Sequence, residues 1–312
     1  MTRVVVTRGA WAALTLLGAV GFSFALVVWA PGDPIDLLPN ADAVRPTLEA
    51  RWRLDQSPLQ RMASWWRLLL AGDLGTSLSY RPGAPVWEVI RQPVVATGLR
   101  VLAALAVAIT TGSVLALRTG GQRRSRTRLL VQLASLAPLF LLAHGAVAVL
   151  NEGAFALMQA GWMGRPGWFA LPDQASLLRS SLAIGLLAVG SSSLHEVHAE
   201  IEHAVAHLQE SPFVDAARAR GEATWPLLLR HLLPTACSVA ASRVGWLLGG
   251  SVVVEKLLLL PGAGAVLWNA ALLRDYEVVL GLTLVAATAV VVARLLADLA
   301  RVWLDPRLRA SA

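Results

Sequence analysis

Four side chains that can bind a metal recur along one stretch of the sequence at helical spacing. Glu196, Glu200, His203 and His207 follow one another at steps of four, three and four residues, which places them on one stripe of a helix. The Glu-x-x-His spacing occurs in carboxylate-bridged metal sites, but those sites take ligands from several helices and only one copy is present here. Neither HExxH nor paired CxxC occurs in the sequence. The stripe is therefore interpreted as a solvated Glu and His face with i,i+4 pairing, and a metal or pH-sensing site is the alternative.

A second group of polar side chains interrupts apolar runs. Arg243, Arg294 and Asp298 lie in stretches long enough to cross a bilayer, where one charge costs about 2.5–3.5 kcal/mol on insertion scales. Arg294 and Asp298 are one helical turn apart and can neutralise each other. Two interpretations stay open: the charges fix helix packing, or Arg243 lines a pathway and attracts a carboxylate on a cargo.

Patterns of catalytic residues are absent from the sequence. A GxxxxGK[ST] phosphate loop needs a lysine, and the only one, Lys256, follows Glu255 at the end of an apolar run. His144 and the serines at 191–193 do not make a nucleophile and base held in register. We therefore predict a non-catalytic chain with no cofactor, so that any ATP is hydrolysed by another chain.

The composition indicates a lipid environment. Of the 312 residues, 56% are hydrophobic and only 15% are charged, and the mean hydropathy is +0.59. A soluble domain carries about 25% charged residues. The formal charge of +7 comes from arginines, so an interaction with nucleic acid depends on where those arginines lie. The single cysteine, Cys237, forms no intrachain disulfide.

Six runs are long and apolar enough to cross the hydrocarbon core, which takes about 20 residues. They cover residues 9–30, 94–117, 129–150, 175–193, 232–254 and 278–303. The first is longer than the roughly 7–15 apolar residues of a signal peptide and is interpreted as a retained anchor. Pro138 interrupts the third run and Pro234 the start of the fifth, and both permit a kink. The sequence thus predicts an all-α, polytopic membrane protein with six transmembrane helices.

The orientation follows from the short loops, because arginine-rich loops stay cytoplasmic during insertion. With the N-terminus inside, the cytoplasmic segments hold most of the arginines outside the long outer region: Arg3, Arg8, Arg118, Arg123, Arg124, Arg126, Arg128, Arg218, Arg220, Arg230, Arg301, Arg307 and Arg309. The short outer loops hold Arg165, Lys256 and Arg274. Both termini are therefore predicted to be cytoplasmic. The basic charge reflects topology, and no nucleic-acid partner is expected.

The segments between the predicted spans divide the chain into three regions. An N-terminal helix over 1–30 precedes an outer region over 31–93, which contains amphipathic stretches at 47–53 and 59–70 and a GDLG turn at 72–75. This region is too long for a turn and is expected to form a small cap on the outer face. Residues 94–312 form the five-helix core.

The inner segment 194–231 contains the clearest helix boundaries. Apolar residues recur at helical spacing, so the fourth span is predicted to run on as an amphipathic helix, with Leu194, Val197, Ile201, Val205 and Leu208 on one face. Ser211 as N-cap, Pro212 at the first helical position and Gly221 beyond the C-terminus delimit a short helix over 212–220. So short a helix is unstable without packing. Phe213, Val214 and two arginines give it an apolar and cationic face.

These residues resemble a known signature. Asp215-Ala216-Ala217, three residues, Gly221, nine residues and His231-Leu232-Leu233-Pro234 is similar to the EAA-xxx-G-(nine)-IxLP signature of ABC importer permease subunits, with Asp for Glu and His for Ile. The local form, FVDAARARG followed by RHLLP, resembles the dipeptide, oligopeptide and nickel branch. Further runs support the resemblance: PGDP at 31–34, LDQSPL at 54–59, GDLGTS at 72–77, VWEVI at 86–90, LLGGSVVVE at 247–255, LPGAG at 260–264, RDY at 274–276 and DPRLR at 305–309. The long outer region resembles the B-type member of the permease pair.

The resemblance implies the type I importer permease fold with a cytoplasmic coupling helix at 212–221. It implies an inner-membrane half-channel that pairs with a second permease subunit, receives short peptides or a nickel chelate from an extracytoplasmic substrate-binding protein, and docks on cytoplasmic ATPase subunits. The implied docking residues are Phe213, Val214, Asp215, Ala216, Ala217, Arg218, Ala219, Arg220 and Gly221, with Ala216, Ala217 and Gly221 small so that the ATPase groove can approach closely. Glu255 and Asp298 match family positions and are interpreted as polar anchors. Arg243 and Arg294 stand where the family has Gln and Asn.

Two other classes of function are carried as alternatives. One is a metal-binding or metal-regulated membrane protein that uses the stripe of Glu196, Glu200, His203 and His207. The other is a secondary transporter that works without an ATPase. It is disfavoured because it has no use for a short capped cytoplasmic helix and because paired broken-helix repeats are not visible.

Overall fold

The structure is a computed structural model that describes residues 2–29, 34–37, 41–52, 54–119, 126–161 and 174–304. Within these residues no strand occurs, and the only extended pairing is an isolated bridge between Thr76 and Pro85. The helices are α1 (Thr2–Trp29), α2 (Ala41–Trp52), α3 (Pro58–Leu70), α4 (Val86–Thr119), α5 (Arg126–Leu136), α6 (Leu139–Gln159), α7 (Gln174–Gly190), α8 (Ser193–Gln209), α9 (Pro212–Ala219), α10 (Trp225–Leu257), α11 (Ala263–Leu272) and α12 (Tyr276–Leu304). The all-α prediction is confirmed. The DPRLR run, most of the PGDP run, and Arg123, Arg124 and Arg165 lie outside the described residues.

Four helices are each long and apolar enough to cross a membrane: Gly9–Val27 of α1, and α4, α10 and α12. Two further pairs, α5 with α6 and α7 with α8, pass the same test when each pair is taken together. Counting each pair as one broken span gives up to six spans in the described residues. The polytopic fold is confirmed, and the spans predicted at 129–150 and 175–193 are parts of the bent pairs.

Both breaks are sharper than the sequence indicated. The axes of α5 and α6 differ by 87°. Pro138 stands at the N-cap of α6 with φ −55° and ψ 138°, an extended conformation that a helix interior cannot contain. The axes of α7 and α8 differ by 49°, and Ser192 between them has φ 58°. The fourth span was predicted to run on as an amphipathic helix. That helix is present as α8, but it is separated from α7 by a residue in the left-handed region.

The chain divides into two compact units, of which one comprises Met1–Thr97 and Pro261–Val291. In this unit α3 begins with a capping box: Ser57 Oγ accepts a bond from Gln60 N at 3.4 Å, and Gln60 Oε1 accepts one from Ser57 N at 3.1 Å. The buried face of α3 forms an apolar cluster of Trp65 with Val20, Phe24 and Leu280. A second cluster joins the first turns of α4 to α11 and α12 through Val86, Val89, Ile90, Val266, Ala270, Val278 and Leu282.

A buried carboxylate organises the segment between α3 and α4 in the same unit. Asp275 Oδ2 accepts hydrogen bonds from Ser77 Oγ at 2.5 Å, Ser79 N at 3.1 Å and Tyr80 N at 2.9 Å. Its other oxygen accepts a bond from Val278 N at 3.3 Å, in the first turn of α12. The GDLGTS and RDY runs, remote in sequence, are therefore parts of one turn structure.

The other unit comprises Gly98–Leu260 and Val292–Ala312. Its larger apolar cluster joins α4, α7 and α10 through Val101, Ala104, Leu105, Ala108, Ala183, Leu187, Ala188, Leu247 and Val254. Its second cluster joins the end of α4 to α8, α9 and α10 through Ala116, Val197, Ile201, Val205, Val214, Leu228, Leu232 and Val239. The short helix α9 therefore rests on the same apolar cluster as the two longer helices that flank it in sequence.

Candidate functional site

The boundaries of α9 agree with the prediction to within one residue. Ser211 precedes it with φ −84° and ψ 139°, and Pro212 opens it. Gly221 follows with φ 72°, its amide donates to Arg218 O at 2.9 Å, and the amide of Glu222 donates to Ala217 O at 3.0 Å. This is the paired bond pattern of a Schellman motif, for which glycine is the usual residue. The predicted side-chain cap is not formed, because Ser211 Oγ donates to the carbonyl of Leu208 instead.

The faces of α9 differ in what they contact. Val214 is fully buried in the chain's own apolar cluster, and Ala217 is also buried, with 2% exposed. Phe213 is 40% exposed, and its ring stacks on His231 with centroids 5.0 Å apart. Asp215, Ala216, Arg218, Ala219, Arg220 and Gly221 are exposed. Val214 and Ala217 are therefore buried inside this chain, and the other residues implied for docking stay exposed.

Both arginines of the predicted cationic face are exposed and have acidic neighbours. Arg218 Nη1 lies 3.3 Å from Asp215 Oδ1. Arg220 donates to both oxygens of Glu222, from Nε at 2.7 Å and from Nη2 at 3.0 Å. These hydrogen bonds lower the pKa of Glu222 and raise that of Arg220. The exposed end of α9 is therefore close to neutral.

Glu255, predicted as a polar anchor, has a basic partner that the sequence analysis missed. Arg100 Nη1 donates to Glu255 Oε1 at 2.6 Å, with the two side chains only 9% and 1% exposed. Arg100 lies within the run 94–117, which was treated as an uninterrupted span. Arg100 is a lone basic residue in an apolar run, and because such a charge needs a partner, the sequence did contain a signal for a buried ion pair.

The other predicted intramembrane charges are arranged differently. Arg243 is half-buried, and its guanidinium carbon lies 5.8 Å from the ring centroid of Trp246. Its Nε has no hydrogen-bond partner within the described part of the chain. Arg294 is exposed and Asp298 is half-buried. Their mutual neutralisation stays a prediction.

The Glu and His stripe is split between two environments. Glu196 and Glu200 line a cavity of about 600 Å³, together with Thr235, Ser238 and Ser242 of α10 and Arg301 of α12. His203 and His207 are exposed. In the ranges the structure describes, no three His, Cys, Asp or Glu side chains are grouped so as to hold a metal ion.

A buried polar group on the opposite side of α8 was not expected from the sequence. Glu202 is 4% exposed, accepts a bond from Thr119 Oγ1 at 3.4 Å and lies 3.8 Å from Arg128 Nε. His198 is fully buried, and neither ring nitrogen has a hydrogen-bond partner among the described residues. Both residues lie on the apolar face of α8, where the hydrophobic periodicity predicted packing alone.

The chain is similar to one protein family and, over nearly its full length, to several named relatives. Residues 108–310 match the family described as "Binding-protein-dependent transport system inner membrane component". A protein of Brucella ovis named as a peptide permease is 30% identical over 322 residues, covering 98% of this chain and 97% of the relative. The oligopeptide transport system permease protein OppB of Haemophilus influenzae is 27% identical over 305 residues, covering 95% of both chains. AppB of Bacillus subtilis, also an oligopeptide transport system permease protein, is 25% identical over 321 residues, covering 99% of both.

Proposed function

This chain belongs to the family of binding-protein-dependent transport system inner membrane components, and on that premise we propose that it forms half of a channel for short peptides and that α9 couples it to an ATPase. It is a non-catalytic permease subunit of an ABC importer and a multi-pass protein of the inner membrane. Importers of this family work with ATPase subunits and a substrate-binding protein. Family membership favours this function over an ATPase-independent secondary transporter.

Peptide is the proposed cargo. The relatives named above are peptide and oligopeptide permeases, which supports peptides over the nickel chelate that the sequence left open. A second permease subunit, homologous to this one, is proposed to complete the channel. We also propose that the chain has three regions: an N-terminal helix over residues 1–30, an outer region over 31–93 and a core over 94–312.

The proposed orientation places both termini and α9 in the cytoplasm. The support comes from the arginine distribution of the short loops. In this orientation the segment around Asp275 faces outward, and the exposed side of α9 faces the ATPase.

The single observation that carries the coupling role is the packing of α9. The helix has only eight residues, and its Val214 packs in a cluster shared with α8 and α10, while Ala217 is also buried. Because packed side chains transmit displacement, a partner that moves α9 also moves the ends of α8 and α10. Phe213 stacks on His231 of α10, and this contact is a second one through which movement of α9 would reach α10.

Co-purification tests this proposal. Ala216→Arg places a long charged side chain on the exposed side of α9 without entering the chain's own core. The matched control is Ala63→Arg, an equally exposed alanine on α3 in the outer region. We expect the ATPase recovered with Ala216→Arg to fall by about tenfold or more, equivalent to about 1.4 kcal/mol, and the control to retain it. Equal recovery for both variants would contradict docking through α9.

A further inference from the structure

The cavity among α8, α10 and α12 has no assigned role. Its volume is about 600 Å³, within the roughly 300–1,000 Å³ of sites that bind small molecules. All its lining residues belong to the unit formed by Gly98–Leu260 and Val292–Ala312. Each of the three helices contributes a different chemical group to its wall.

The wall formed by α8 carries two carboxylates. Glu196 is half-buried and Glu200 is exposed, and neither has a hydrogen-bond or ion-pair partner within the described residues. They lie one helical turn apart, where like charges repel each other. A cationic group that enters between them relieves this repulsion and gains charge-assisted hydrogen bonds.

The wall formed by α10 presents hydroxyl oxygens. Ser238 Oγ donates to Pro234 O at 2.7 Å, and Ser242 Oγ donates to Val239 O at 2.8 Å. Because these hydroxyl hydrogens are used within the helix, the oxygens can act only as acceptors, and that of Ser238 already accepts one bond from Arg301 Nε. Thr235 lies on the same wall. This surface suits the N–H groups of a ligand.

The wall formed by α12 carries one guanidinium. Arg301 is exposed, and its Nε donates to Ser238 Oγ, which anchors the side chain at the cavity. Its two terminal nitrogens have no partner in the part of the chain that the structure describes. Paired guanidinium N–H groups bind a carboxylate in bidentate geometry.

We propose that this cavity binds a short peptide by its two charged termini. The α-ammonium lies at Glu196 and Glu200, and the α-carboxylate lies at Arg301. The lining has one more negative than positive charge, so zwitterionic and basic peptides bind more tightly than acidic ones. Because the recognised groups are those that every peptide has, the site accepts varied side chains. The inference rests on the proposed function and adds a recognition site within the permease itself.

Equilibrium binding to the purified transporter tests the site. The complex of this chain with its partner permease and ATPase subunits is placed in lipid nanodiscs without the substrate-binding protein, so that the permease alone selects the ligand. The probes are radiolabelled Ala-Ala-Ala, its N-acetyl form and its C-terminal amide. The variants are Glu196→Gln with Glu200→Gln, and Arg301→Gln. The controls are Glu210→Gln and Arg230→Gln, exposed residues outside the cavity lining.

Each lost terminus should weaken binding by about tenfold or more, the effect of one charge-assisted contact. The double Gln variant should lose affinity for Ala-Ala-Ala while binding the N-acetyl form no worse than wild type does. Arg301→Gln should likewise lose affinity for Ala-Ala-Ala while binding the C-terminal amide no worse than wild type does. The controls should bind all three probes as wild type does.

Two results would overturn the site. One is equal affinity for the three probes in wild type, a comparison that needs no variant to fold. The other is no peptide binding by a complex that imports Ala-Ala-Ala when ATP and the substrate-binding protein are supplied, and in that case the proposed function stands. Binding that depends on the termini, without import, would support the site and contradict the proposed function.

Discussion

Arg100 and Glu255 form a buried ion pair, 2.6 Å between Nη1 and Oε1, that connects α4 to α10 beside the largest apolar cluster of their unit. The two residues are 155 positions apart in sequence. Because both side chains are removed from solvent, losing either one takes a charged partner from the other where water cannot replace it.

The first prediction concerns this pair. Arg100→Met should destabilise the protein by about 3–5 kcal/mol, the usual cost of breaking a buried ion pair by removing one partner. Combining Arg100→Met with Glu255→Leu should recover much of that loss, because both buried charges are then removed. Thermal unfolding in detergent, followed by the loss of the monodisperse chromatographic peak, measures both variants. A double variant less stable than Arg100→Met would show that the pair does not act as a unit.

The second prediction concerns the outer turn. Asp275→Asn replaces a carboxylate that accepts bonds from Ser77, Ser79 and Tyr80. Each charge-assisted bond contributes about 1.5–3 kcal/mol, so the turn should open more often. Hydrogen exchange at the amides of Ser79 and Tyr80 should accelerate. The exposed Asp42→Asn is the control, and unchanged exchange in Asp275→Asn would refute the role of the carboxylate.

The third prediction concerns the packing of α4 on α8. A Cβ at Gly112 would lie 2.9 Å from Val197 Cγ1 and 3.1 Å from the backbone nitrogen of His198. Gly112→Ala should therefore push the helices apart and lower stability by about 1–3 kcal/mol. Gly98→Ala on the same helix meets nothing within 4 Å and should be neutral or stabilising. Comparable melting temperatures for the two variants would rule out close packing at Gly112.

The fourth prediction concerns the end of α9. Gly221 has φ 72°, a conformation that costs a residue with a Cβ about 1–2 kcal/mol. Gly221→Ala should unravel the last turn of α9 and reduce the amount of ATPase that co-purifies. Gly221→Asn should retain more ATPase, since asparagine tolerates this conformation better. If the two variants retain equal amounts, the backbone conformation of Gly221 does not govern docking.

Local signals in the sequence were sufficient to define α9. Ser211, Pro212 and Gly221 each act within one helical turn, so the bounds of the helix could be read from residue types alone. The GDLG turn was found in the same way, and Gly72 and Gly75 have φ 81° and 85°. The class of transporter was inferred from the family signature, because residues that begin or end a helix or a turn do not specify a function.

Features that depend on distant contacts were missed. Arg100 was overlooked because its partner lies in another helix, and Glu202 because its partners Thr119 and Arg128 lie on α4 and α5. The break at Ser192 follows Gly190 closely, but the residue in the left-handed region is itself a serine, a residue type that rarely adopts that conformation. Which residues of α9 face inward followed only from the packing of Val214 and Ala217.

ATP-dependent uptake of labelled Ala-Ala-Ala by the complete transporter in proteoliposomes, with its substrate-binding protein, tests the coupling role of α9 most directly. The comparison is between wild type, Ala219→Arg on the exposed side of α9, and Ala63→Arg in the outer region. We expect Ala219→Arg to reduce uptake by about tenfold or more, to the level seen without ATP, and Ala63→Arg to transport as wild type does. Full ATP-dependent uptake by Ala219→Arg would contradict the claim that the ATPase acts through this helix.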